Sequence, residues 1–122
     1  MRILLVDDHV DSLKILAKLL RQRGHTVETS GTLAKAVSAC ASGGFQLVVC
    51  DIGLPDGSGW EIAPVARASG AKAIALSGFG MAEDVHHSEI AGFAAHLTKP
   101  ISFQEIESAI ATACEPSASA VH

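Results

Sequence analysis

The sequence predicts a single α/β domain in which five parallel strands alternate with helices. Three observations carry this. Short apolar runs rich in β-branched residues recur along the chain, amphipathic patterns separate them, and Gly, Thr or Ser stands where several of those helices should stop or start. At 122 residues, 48% hydrophobic and 18% charged, the chain has the size and composition of one compact core.

The first apolar run, residues 3–6, is continuous and so reads as a strand buried on both faces. Leu13, Leu16 and Leu20 then lie on one helical stripe, which closes at Gly24. A weaker strand at 26–29 leads to a second helix that opens at Thr32 and carries Leu33, Ala36, Val37 and Cys40. Residues 47–50 form another fully buried strand. A third helix is expected near 58–68, where Pro64 lacks an amide donor and should bend or shorten it. The fourth strand is read at 73–76 and a weaker fifth at 94–97. His86 and His87 belong to the helix between them, where adjacent residues take different faces and make a poor metal pair. The last helix has the clearest start, with Ser102 as N-cap, Glu105 completing a capping box and Ile101 stapled onto Ile106. Phe103, Ile106 and Ile110 should face the sheet. Residues 115–122 are small and polar without periodicity, a flexible tail or linker remnant behind a domain of 1–114.

Several function classes fall away. No apolar run reaches the roughly 18 residues of a membrane helix, and the start turns acidic at Asp7, too soon for a secretory signal. A cytoplasmic protein without a membrane partner is expected. Cys40, Cys50 and Cys114 are far apart and lack zinc-site spacing, so they read as reduced core thiols. The net charge of −4 offers no basic footprint, which argues against direct nucleic-acid binding.

Parallel sheets with right-handed crossovers bind ligands at the carboxyl ends of their strands. Four of the five predicted strands deliver a polar residue there: Asp7 and Asp8 after the first, Asp51 after the third, Ser77 after the fourth, Lys99 after the fifth. Converging carboxylates repel one another, so a cation is required, and Mg²⁺ suits an oxygen-only donor set. A carboxylate can then act as a nucleophile and form an aspartyl phosphate. Asp51 is central and takes that role, Lys99 supplies a point charge to a phosphoryl oxygen, and the Ser77 hydroxyl donates a hydrogen bond. Taken singly, each residue has a bland reading as a cap or a solvated charge. Taken jointly, in this order, they do not.

The sequence resembles the receiver domains of two-component response regulators. The resemblance rests on residues 3–8 (ILLVDD), 51–57 (DIGLPDG), 75–78 (ALSG) and 97–100 (LTKP), and it covers about residues 2–114. It implies a flavodoxin-like, doubly wound (βα)₅ fold with strand order 2-1-3-4-5. It also implies phosphorylation of Asp51 by the phosphohistidine of a histidine kinase or phosphotransfer domain. Asp8 would be a direct Mg²⁺ ligand, Asp7 a ligand through water, and the Gly53 carbonyl a further one. The Lys99-Pro100 bond would be cis. No catalysis is implied beyond self-phosphorylation and autodephosphorylation. Output would run to a downstream effector or attached domain through the face of the fourth helix, fifth strand and fifth helix. One departure concerns the switch that couples Ser77 to that face: the family has Tyr or Phe three residues before the lysine, and here the position holds His96, which is smaller and titratable. His9 follows the acidic pair at the pocket rim, with nothing in the spacing to make it a ligand.

No effector region follows residue 114, so the expectation is a module that docks to partners or a receiver from a longer protein. Residues 53–60 and 77–80 look similar to receivers of hybrid histidine kinases, whose parent protein would be a kinase. Two rival readings run against particular residues. A phosphatase of the haloacid dehalogenase type needs a second Asp two residues after the nucleophile, where this chain has Gly53. A flavodoxin-like flavin carrier needs a first loop that cradles phosphate, and Asp7 and Asp8 would repel it.

Overall fold

A computed structural model of the chain describes residues 1–54, 57–78, 92–99 and 102–113. Its main sheet is parallel throughout and has the order β2-β1-β3-β4-β5, where β1 is Arg2–Val6, β2 Thr26–Ser30, β3 Leu47–Asp51, β4 Lys72–Gly78 and β5 Ala95–Lys99. This is the predicted topology. Helices α1 (Val10–Gln22), α2 (Leu33–Ser42) and α3 (Ile62–Ala68) and a last helix, Phe103–Ala113, cover it.

Strand periodicity sorts the core into two halves. Leu4, Val6, Val48, Cys50, Ala73 and Ala75 form one buried cluster with residues of α2 and α3. Ile3, Leu5, Leu47, Val49, Ile74 and Leu76 point to the other face, against Ala17 and Leu20 of α1 and Ile106, Ala109 and Ile110 of the last helix. Successive strand residues alternate between faces, so β1 and β3 need apolar side chains at every position. Of the residues of β1 only Arg2 is exposed, and every residue of β3 is buried.

The predicted caps are present. Gly24 takes φ 92° after α1, a conformation that costs a residue with Cβ. The Thr32 hydroxyl accepts from the Lys35 amide at 3.2 Å. The Ser102 hydroxyl accepts from the Glu105 amide at 3.1 Å, and the Glu105 carboxylate returns to the Ser102 amide at 3.5 Å. Ile101, Pro100, Cys114, the tail and the stretch with His86 and His87, for which the sequence predicts a helix, lie outside the described residues.

Helix α3 differs from expectation. It begins at Ile62, because Gly57–Ser58 pairs antiparallel with Gly53–Leu54 and Gly59–Glu61 forms a 3₁₀ turn. Pro64 is therefore the third residue of α3, where an amide has no partner within the helix, so the proline is tolerated without a break. The strands also run further than their apolar runs: Asp51 closes β3, Ser77 lies inside β4 and Lys99 ends β5.

Candidate functional site

The carboxyl ends of β1 and β3 bring the acidic residues together. In the parallel register Val6 lies opposite Cys50, so the chain continues on both strands into Asp7 and Asp51. Asp7 is tied to the sheet by its amide, which donates to the Ser30 carbonyl at 3.1 Å and extends the β1–β2 ladder by one bond. Asp51 is held by a similar extension, since the next amide, Ile52, donates to the Leu76 carbonyl at 2.9 Å. Asp7 and Asp51 are buried residues, and the Asp7 side chain is 9% exposed against 35% for that of Asp8. Ligand atoms of Asp7, Asp8, His9 and Asp51 all lie within 4.8 Å of one another.

Asp51 pairs with Leu76 on β4, one residue before Ser77, and Ser77 pairs with Thr98 on β5, one residue before Lys99. The register therefore sets Asp51, Ser77 and Lys99 at one edge of three consecutive strands. The side chains of Ser77 and Lys99 are outside the described residues. Gly53 opens the short antiparallel ladder two residues beyond Asp51. His96 is half-buried on β5 and pairs with Ala75 of β4.

His9 enters the pocket. It is the N-cap of α1, with extended backbone (φ −86°, ψ 95°), and its amide donates to Asp7 Oδ1 at 2.9 Å. That turn carries the imidazole back over the acids, where Nδ1 lies 3.1 Å from Asp7 Oδ1 and 3.3 Å from Asp8 Oδ1. The signal was present in the sequence: a residue directly between an acidic strand end and a helix start must turn sharply. What the spacing could not supply was the set of backbone and side-chain torsions that aims the ring.

Cys50 stands beside Asp51 but is no nucleophile. Burial pushes its thiol well above the usual range, and the charge of Asp51 adds to the rise. Its Sγ sits 3.3 Å from the Asp51 carbonyl, as donor. Cys40, also buried and free, is raised by burial alone.

Two buried carboxylates and a half-exposed third form a donor set fitted to a hard dication. The oxygens of Asp7, Asp8 and Asp51 could hold it, with His9 Nδ1 within reach. Among the described residues no helix is long and apolar enough to cross a membrane.

Comparisons with known proteins point to one family. The model of the response regulator receiver domain matches residues 3–111. The transcriptional regulatory protein TcrA of Mycobacterium tuberculosis is 32% identical over 107 residues, 86% of this chain and 42% of TcrA. CusR of Escherichia coli is 27% identical over 92% of this chain and 50% of its own, so the chain spans about half the length of the curated relatives it matches. Among solved structures, a CheY-like receiver domain protein from Methanospirillum hungatei is 31% identical, with a TM-score of 0.83 over 89% of each chain. A two-component response regulator from Clostridium difficile shares the fold at a TM-score of 0.88, covering 97% of this chain and 98% of its own at 17% identity.

Proposed function

The chain belongs to the response regulator receiver family, the phosphoacceptors of two-component signalling, and from that premise we propose that Asp51 is the residue that takes the phosphoryl group. The observation that carries this is the burial of Asp51 at the end of the central strand, within 4.8 Å of the ligand atoms of Asp7 and Asp8. The donor is a phosphohistidine of a histidine kinase or phosphotransfer domain. An Asp51 carboxylate oxygen attacks phosphorus, the P–N bond breaks, and the imidazole leaves as a neutral ring after taking up a proton. Asp7, Asp8 and Asp51, with the Gly53 carbonyl, would hold Mg²⁺, which when bound offsets the charge on the phosphoryl oxygens.

Lys99 contributes a fixed positive charge to a phosphoryl oxygen, and the Ser77 hydroxyl a hydrogen bond that forms once the group has arrived. The adjacency of β3, β4 and β5 supports both assignments. His96, on the same strand as Lys99, is the switch residue that answers Ser77 and alters the face formed by β5 and the last helix. Residues 1–114 act as the receiver and 115–122 as a tail or linker, in a cytoplasmic protein. Output passes to a downstream effector or an attached domain and not to nucleic acid directly; an attached kinase region would make the parent a hybrid histidine kinase.

Incubation with phosphoramidate and Mg²⁺ tests the central assignment. Intact mass should rise by one phosphoryl group in the wild type and stay unchanged in Asp51→Asn. A variant that still gains the group removes Asp51 from the role.

A further inference from the structure

Among the described residues of the acidic cluster, His9 is the one for which phosphoryl acceptance has no task. Its Nδ1 lies 3.1 Å from Asp7 Oδ1 and 3.3 Å from Asp8 Oδ1. An octahedral dication with bonds of ~2.1 Å sets neighbouring ligand atoms ~3.0 Å apart and opposite ones ~4.2 Å apart. Both imidazole contacts match the neighbouring spacing, and the 4.8 Å that encloses all four ligand atoms leaves room for an opposite pair. A plain ion pair needs only one of these oxygens; here the nitrogen sits between two carboxylates from successive residues. The His9 side chain is 69% exposed, so the ring can rotate onto an ion without unpacking the core.

We propose that His9 Nδ1 is a further ligand of this pocket, and that its imidazole raises the affinity for first-row transition dications such as Mn²⁺ and Co²⁺ while leaving that for Mg²⁺ nearly unchanged. The proposal rests on the reading of Asp7, Asp8 and Asp51 as the metal site. Its chemistry is that of the donor set. Carboxylates and water suit Mg²⁺, whereas an imidazole nitrogen strengthens binding across the first-row series and does little for Mg²⁺. The same carboxylate that takes the phosphoryl group would then feel the supply of transition metal.

The test uses the whole chain in one buffer at a fixed pH. Pulsed electron paramagnetic resonance of the Mn²⁺-loaded protein should show the nitrogen modulation of a directly bound imidazole, lost in His9→Ala and in His9→Gln. Calorimetric titration should show Co²⁺ affinity falling at least about tenfold in both variants, with Mg²⁺ affinity changed by less than about twofold. Absence of nitrogen modulation in the wild type overturns the proposal, as does a modulation that survives both substitutions and so belongs to another histidine. Equal changes for Co²⁺ and Mg²⁺ also overturn it, since they would mark His9 as a charge neighbour only. Phosphorylation of wild-type Asp51 with Mg²⁺, read by intact mass, is the separate arm. Its failure would sink the phosphoacceptor reading, whereas normal phosphorylation without nitrogen modulation sinks only the ligation by His9.

Discussion

Replacing Asp51 with Asn removes one of the negative charges that β1 and β3 force together, and should stabilise the metal-free fold. The ligand oxygens of Asp7, Asp8 and Asp51 lie within 4.8 Å of one another. At that separation two unit charges repel by about 1 kcal/mol in water and about 3.5 kcal/mol at an effective dielectric constant of ~20. Burial of Asp51 and Asp7 favours the upper figure. The exposure of Asp8 and the His9 imidazole beside Asp7 and Asp8 favour the lower. A net relief of about 1–2 kcal/mol follows, because the unfolded chain separates these charges. Metal should reverse the order. A dication bound only by the folded state adds about 2.7 kcal/mol at one hundred times its dissociation constant, and Asp51→Asn, with a ligand lost, should gain much less. Urea unfolding followed by Trp60 fluorescence, once in EDTA and once in Mg²⁺, reads both numbers. A variant less stable than the wild type in EDTA would refute the reasoning, since it would mean that hydrogen-bond donors around Asp51 outweigh the repulsion. Equal gains from Mg²⁺ would refute the ligand role.

Two further outcomes follow from the buried and half-buried titratable groups. In a Cys114→Ser background, Cys40 and Cys50 should resist alkylation in native buffer and react only in denaturant, because burial raises both thiols; rapid native labelling of Cys50 would show that the pocket wall opens. His25 has a pKa below its ordinary 6.5, first through burial and then through the Met1 ammonium 3.3 Å from its Nδ1, partly opposed by Glu107. The folded state therefore binds this proton less well than the unfolded chain. Stability is full above about pH 6.5 and falls as the pH drops below it toward the lowered folded pKa. His25→Gln should flatten that part of the curve in urea midpoints measured across pH, and an unchanged slope would assign the loss to other groups.

The alternation of elements, the helix caps and the identity of the strand-end residues were legible in the chain alone. These are local properties. Apolar periodicity reports a strand or a helix stripe from a few neighbours, and the hydroxyl of Thr32 or Ser102 caps amides only three residues on. Element extents were less legible. Ser77, Thr98 and Lys99 carry no apolar signal, yet they extend β4 and β5 because ladder bonds come from the neighbouring strand rather than from their own side chains. Ser58 was claimed by pairing with Gly53, and α3 had to start later.

The candidate site divides in the same way. Asp7, Asp8, Asp51, Ser77 and Lys99 could be named from position alone, because a parallel sheet with right-handed crossovers sends all its carboxyl ends to one edge. That Asp7 and Asp51 are buried while Asp8 is not, and that the His9 ring folds back between Asp7 and Asp8, emerged from the assembled fold. Burial depends on which helix covers a strand end, and the aim of the ring depends on the backbone and side-chain torsions of a single N-cap residue. Neither is encoded in spacing, since both arise from contacts between segments that are distant along the chain or from a turn that many side chains could occupy.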